Sequence, residues 1–283
     1  TRTSVEFEPD LSGDQLLING EAQSGQVLQR VTDQLDLVRS MAGISDSARV
    51  TSTNNFPMGT GIASSASAFA ALAGAASRAA GLDLDVKSLS MLARRGSGSA
   101  ARSIPAGFVV LHAEKSNEDA YAESFAGPEY WDLMDCICVV SRTHKPTGST
   151  QGHQLAETSP LQAARVTDST RRIRICREAI LDKDFETLAE IAEADSNMMH
   201  AVMMTSNPQL LYWEPATLEI MHAVRRWRSE GLPVFYTIDA GPNVHIITLK
   251  DYRSQVIEKI NQLGSITTIL TSKPGYGVRF IDT

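Results

Sequence analysis

Between Asn54 and Ala70, Gly59 and Gly61 are followed by Ser64, Ser65 and Ser67 at the head of an alanine-rich helical pattern. Glycine lets the backbone approach a phosphate closely and tolerates positive φ. Serine hydroxyls at a helix start add to the free N–H groups and the dipole that favour an anion there. These residues suit a phosphate-binding loop, although the Gly-Lys-Ser/Thr ending of a Walker loop is missing. A glycine turn ahead of a serine-capped helix would use the same residues. The density of hydroxyls directly after a strand favours phosphate, and with it a nucleoside triphosphate.

A second segment, Gly96-Ser97-Gly98-Ser99-Ala100-Ala101-Arg102-Ser103, sets small residues and hydroxyls around one arginine. The planar guanidinium fork suits a carboxylate or phosphate, and small neighbours admit the ligand. By composition, a flexible connecting loop with an incidental arginine fits equally well. The third segment, Thr237-Ile238-Asp239-Ala240-Gly241-Pro242-Asn243, places an aspartate at a strand end, where catalytic side chains are often presented. On local grounds turn chemistry is the simpler account of it. The six histidines are scattered singly and suggest no metal cluster. Cys136 and Cys138 lie in a pattern that reads as a buried strand, and with Cys176 they make a poor disulfide framework. A reduced, cytoplasmic compartment is expected.

The elements that must position these groups follow from periodicity. Thr3–Glu8 and Gln15–Ile18 alternate like strands and are expected to form a hairpin around Ser12-Gly13-Asp14. Val27, Val31, Leu35, Val38 and Met41 fall at helical spacing, and Ala48–Thr53 reads as a strand into the glycine-serine segment. Helices are predicted to Ala80, with Gly81 as the stop, and over Val86–Arg95. Strands are predicted over 107–112 and 136–141. The second half carries long helical patterns at Leu161–Leu181, Phe185–Met199 and Pro215–Ser229. Strands follow at Val234–Ile238 and His245–Leu249, then a helix near Tyr252–Leu263 and short strands at Thr267–Thr271 and Gly277–Ile281. This mixture lacks a regular βαβ beat, so the expected class is α+β with two lobes. The polar stretch Thr150–Pro160 is the expected seam, dividing 1–155 from 156–283.

The chain has 283 residues, 42% of them hydrophobic, enough for one large core or two modest ones. No apolar run approaches the roughly 20 residues that a bilayer requires. A net charge of −7 disfavours nucleic acid or an anionic membrane as partner, but not a small anion in a locally positive site. The chain opens at Thr1 on a strand pattern, so a preceding segment is expected.

Together the motifs closely resemble the mevalonate diphosphate decarboxylases of the GHMP kinase superfamily. The resemblance is carried by Asn54-Asn55-Phe-Pro, Gly61-Ile-Ala-Ser64-Ser65-Ala, Gly96-Ser97-Gly-Ser99-Ala-Ala-Arg102-Ser103 and Asp239-Ala-Gly-Pro-Asn243. Supporting matches are Ser149-Thr-Gln-Gly152, Lys183-Asp-Phe185, and Asp195-Ser-Asn197 with His200; the likeness runs from Asn19-Gly20-Glu21 past Asn243. It implies the two-lobed GHMP kinase fold and ATP-dependent decarboxylation of mevalonate 5-diphosphate to isopentenyl diphosphate. A branch of the family acting on the 5-monophosphate shares the same apparatus. A 3-hydroxyl kinase and a catalytically silent ligand-binding relative are further readings.

By the same resemblance, Asp239 stands at the substrate hydroxyl, and Arg102 grips the substrate carboxylate with Ser97 and Ser99 alongside. Arg30 meets the 5-phosphate end. Asn54, Asn55, Gly59, Gly61, Ser64, Ser65 and Ser67 hold ATP, with Ser65 beside magnesium. A homodimer is implied. The family's opening strand, with its lysine and tyrosine, has no counterpart here. Met58-Gly-Thr-Gly61, Ala101 and Ile104-Pro-Ala106 also depart from the common pattern, which leaves the 5-substituent open.

Overall fold

A computed structural model describes residues 1–55, 64–113, 120–140 and 149–281, without the side chains of Ser64 and residues 149–151. The chain divides into two compact units. Of the described residues, the first takes in those up to Tyr130 together with the tail from Gly275; the second takes in those from Trp131 to Pro274. The division thus falls ahead of the polar stretch 150–160. Part of that stretch is helical, α4 (Ser149–Ala156).

In the first unit, β1 (Arg2–Glu8), β2 (Gln15–Ile18), β3 (Glu21–Gln23) and β4 (Ser47–Thr53) form a sheet in the order β1-β4-β2-β3. The expected β1–β2 hairpin does not form. β4 lies between them, antiparallel to β1 with Val5 opposite Val50, and parallel to β2 with Leu16 opposite Val50. That order lines up Val5, Val50 and Leu16, all buried, across three strands. The tight hairpin is β2–β3 instead, turned by Asn19 and Gly20, both at positive φ.

Helices α1 (Gly25–Ala42), α2 (Ser64–Ala79) and α3 (Val86–Gly96) are packed in this unit's core. Leu35 and Val38 of α1 are fully buried, whereas Val27 and Met41 at its ends are exposed. Buried Ala66, Ala70, Ala73 and Ala76 give α2 a narrow face on which Phe69 and Leu72 are the large contacts. Asp85 caps α3 by accepting from the Ser88 N–H. A two-stranded sheet pairs β5 (Phe108–His112) with β6 (Tyr121–Ala126), a strand that sequence periodicity missed. The tail at 277–281 forms no strand of its own; Val278 N–H donates to the Ile104 carbonyl.

In the second unit, β7 (Leu133–Val139), β8 (Val234–Thr237), β9 (Val244–Leu249) and β10 (Thr268–Ser272) make an antiparallel sheet in the order β10-β7-β9-β8. Around it stand α5 (Gln162–Asp182), α6 (Phe185–Met204), α7 (Pro215–Ser229) and α8 (Arg253–Asn261). Ile220, Val224 and Trp227 of α7 pack with Val234, Val244, Ile246 and Ile260 in one core. Cys136 and Cys138 are buried in β7 as free thiols, and burial raises both well above the ordinary thiol pKa. No helix among the described residues is long and apolar enough to cross a membrane.

Candidate active site

In the first unit, α3 ends at Gly96, and a 3-10 turn over Ala100–Ser103 carries Arg102. The Ala100 N–H donates to the Ser97 carbonyl at 2.8 Å, and the Arg102 N–H to the Ser99 carbonyl at 3.2 Å. Ser97, Ser99 and Arg102 therefore share one tight backbone unit. Ser90 holds it in place: its fully buried hydroxyl donates to the Ala101 carbonyl (3.0 Å) and accepts from the Ala122 N–H (2.8 Å). The Arg102 side chain reaches solvent, yet the packed turn displaces enough water to hold the guanidinium below its ordinary pKa. An incoming carboxylate would offset that lost hydration. Ser90→Ala, which strands two buried backbone groups, is expected to cost about 2 kcal/mol. A urea midpoint equal to that of the parent would contradict this role for Ser90.

Arg30 on α1 donates from Nη2 to the Gly96 carbonyl at 3.1 Å and stands 4.8 Å from the centroid of the Phe69 ring. Arg30, Asp33, Gln34, Leu37, Arg95 and Gly96 line a cleft of about 270 Å³. Gly96 is required here by space: a Cβ would fall 2.1 Å from Phe69 Cδ1 and 2.4 Å from Gln34 Oε1. The Ser65 hydroxyl lies 3.3 Å from that of Ser97, which brings the first turn of α2 beside the arginine turn. The Thr1 hydroxyl lies 2.5 Å from Asn54 Oδ1 and 2.9 Å from the Ser67 hydroxyl, and the Asn54 N–H donates to Asn19 Oδ1. Asn55 is exposed. Gly59, Gly61 and the Ser64 side chain lie outside the described residues.

Asp239 belongs to the second unit. It follows the end of β8 and opens a turn in which its Oδ1 accepts from the Gly241 N–H at 3.2 Å. Its side chain is at an exposed position. The turn is held by Asn243 of the same motif and by Thr217, which motif reading did not single out. The buried Thr217 hydroxyl donates to the Pro242 carbonyl at 2.7 Å, and Oδ1 of buried Asn243 accepts from the Val140 N–H at 2.8 Å. Nearby, His245 Nδ1 is 2.8 Å from Asp135 Oδ2. Burial alone would lower the His245 pKa, but the bond to Asp135 and the charges of Asp135 and Asp239 outweigh it and raise it. Ser90 and Thr217 gave no sequence signal, because one small polar residue inside a helical pattern reads as a surface position.

An α+β chain with a serine-bearing helix start, an arginine turn and an aspartate at a strand end has the GHMP kinase fold. It belongs to the diphosphomevalonate decarboxylase family: the diphosphomevalonate decarboxylase-like N-terminal domain matches residues 1–122, and the mevalonate 5-diphosphate decarboxylase C-terminal domain matches 136–274. The chain is 36% identical to a phosphomevalonate decarboxylase of Haloferax volcanii over 272 residues, 95% of this chain and 82% of that protein. The crystal structure of mevalonate diphosphate decarboxylase from Staphylococcus aureus superposes with a TM-score of 0.94 at 36% identity, covering 99% of this chain and 86% of that one. A further structure, MDDEF in complex with MVAPP, AMPPCP and magnesium, superposes at 0.92 with 34% identity and the same coverage of both chains.

Proposed function

We propose that this chain is an ATP-dependent carboxy-lyase of isoprenoid biosynthesis. It converts (R)-mevalonate 5-diphosphate, with ATP, to isopentenyl diphosphate, ADP, phosphate and carbon dioxide. The observation that carries this reading is the Arg102 turn: a partly desolvated guanidinium, flanked by Ser97 and Ser99 and anchored by Ser90, in a chain matched along both halves by decarboxylase domains. Such a group can pair with a carboxylate through a bidentate fork, the partner that the family match implies.

The family resemblance suggests roles for the other residues, and the chemistry is consistent with them. A tertiary hydroxyl is a poor leaving group, so the hydroxyl oxygen first takes the terminal phosphoryl group of ATP. Asp239 orients that hydroxyl or accepts its proton. The C–O bond to the new phosphate then breaks, and phosphate leaves with the electron pair. The C–C bond to the carboxylate supplies the electrons of the new double bond, releasing carbon dioxide. Arg102 holds the carboxylate in line for that collapse, and Arg30 receives the 5-phosphate end. Ser64, Ser65 and Ser67 face the nucleotide phosphates, with Asn54, Asn55, Gly59 and Gly61 around them. No group of three or more His, Cys, Asp or Glu among the described residues could hold a metal. A magnesium ion arriving on the nucleotide would take the Ser65 hydroxyl as its protein ligand. When bound, magnesium neutralises charge on the transferring phosphoryl group.

The likeness to the Haloferax volcanii protein favours one alternative, the same reaction on mevalonate 5-phosphate to give isopentenyl phosphate. Carbon dioxide and phosphate release, measured in parallel with the mono- and diphosphate substrates, tests both. Higher kcat/KM on the diphosphate is expected; equal or reversed preference would favour the alternative, and no turnover of either would remove the decarboxylase reading. The reading extends to a cytoplasmic homodimer, for which the free, buried thiols of Cys136 and Cys138 offer support as to compartment.

A further inference from the structure

Among the described residues β8 is an edge strand: β9 pairs with one side, and none of the described strands covers the other. Outward-facing backbone groups on an edge are open to solvent or to another chain unless something meets them. Here side chains of α6 and α7 take the place of the missing strand. Arg228 Nη1 donates to the Val234 carbonyl at 3.2 Å, and the Tyr236 N–H donates to Glu193 Oε1 at 3.2 Å. Arg228 and Glu193 are themselves joined by two hydrogen bonds of 2.6 and 2.9 Å. Two residues further along, the Ser196 hydroxyl accepts from the Ile238 N–H at 3.0 Å and donates to the Ile238 carbonyl at 3.0 Å. One buried hydroxyl thus fixes both peptide groups that flank Ile238, and the second of them is the peptide of Asp239.

We propose that Ser196 is a positioning residue for Asp239. This rests on Asp239 acting at the substrate hydroxyl, as read above. Past Thr237 the strand ladder with β9 has ended, so the direction in which Asp239 leaves the sheet depends on what holds Ile238. Ile238 itself is buried and cannot turn out to water. Ser196 has the reach, the donor and the acceptor to hold both of its polar groups, and α6 is a long helix that supplies a rigid base. Removing the hydroxyl frees the peptide to rotate, which moves the Asp239 carboxylate without touching the arginine turn or the serine-rich helix start.

The test is a double-mutant cycle on the whole chain, with steady-state turnover and a urea midpoint for each variant. Ser196→Ala is expected to lower kcat by about tenfold or more while KM for ATP stays within about threefold. Ser196→Thr, which keeps the hydroxyl, should restore most of the lost kcat. In an Asp239→Asn background the same alanine change should cost nothing further, because the group it positions is already gone. Parental kcat in Ser196→Ala, or an equal loss in both backgrounds, would overturn the proposal. Should Ser196→Ala not fold, Ser196→Cys fills the space with a weak hydrogen-bonding group, and parental kcat there would overturn it equally. Near-parental activity of Asp239→Asn alone would instead remove the role of Asp239, so the two failures read differently.

Discussion

Asp239→Asn lowers kcat at least several hundredfold, roughly 4 kcal/mol of barrier, while ATP still binds. The amide keeps the size of the carboxylate and an oxygen to accept from the Gly241 N–H, so the turn itself has no reason to open. On the proposed role of Asp239, what it loses is negative charge and basicity where the substrate hydroxyl would give up its proton. That interaction strengthens only as phosphoryl transfer proceeds, and its loss therefore falls on kcat more than on KM. Single-turnover measurement of phosphate and carbon dioxide release, beside nucleotide titration, reads both halves of the expectation. Activity close to that of the parent enzyme would take Asp239 out of the mechanism.

Arg102→Gln is the second large effect. Arg102 is a partly desolvated cation on a turn tied to α3 and β6 through Ser90. If bound substrate buries a carboxylate against this guanidinium, truncating the arginine typically costs about 2–5 kcal/mol, which is on the order of thirty- to several-thousandfold in kcat/KM for the phosphorylated mevalonate. Arg102→Lys keeps the charge but not the planar fork, and is expected to fall between the two. KM for ATP should change little in either variant. The urea midpoint is the control, since no hydrogen bond from the Arg102 side chain is seen among the described residues and folding should survive the change. A kcat/KM within about threefold of the parent would place the carboxylate elsewhere.

Much of the frame was legible because it is local. Helical spacing of apolar residues marks α1, and the helical pattern over Pro215–Ser229 coincides with α7. Cys136 and Cys138 read as a buried strand, and β7 is one. What local pattern missed were relations between segments. β1 and β2 both alternate, and a short polar turn separates them, so a hairpin was the natural expectation. β4 displaced it, because sheet order depends on which strands can present Val5, Leu16 and Val50 to the same core. Asn19-Gly20, a strong hairpin dipeptide, turns β2 into β3 instead. β6 carries Glu123 and Ser124 among apolar residues and looks like a loop until β5 pairs with it. The polar stretch after residue 148 breaks the surrounding pattern, yet its beginning is helical.

The candidate site divides along the same line. The sequence alone determined which chemical groups are available: hydroxyls at the head of α2, Arg102 among small residues, and Asp239 ahead of a turn. Residue type and short spacing are enough for that, since each motif works through its own backbone. Only the tertiary structure decided how each group is held. Ser90 reaches 11 residues along the chain to the Arg102 turn, Ser196 reaches 42 to the peptide before Asp239, and Asn243 reaches 103 to Val140, just past the end of β7. A buried hydroxyl or amide acquires its role from whichever unpaired backbone group folding brings against it. No periodicity along the chain records that meeting.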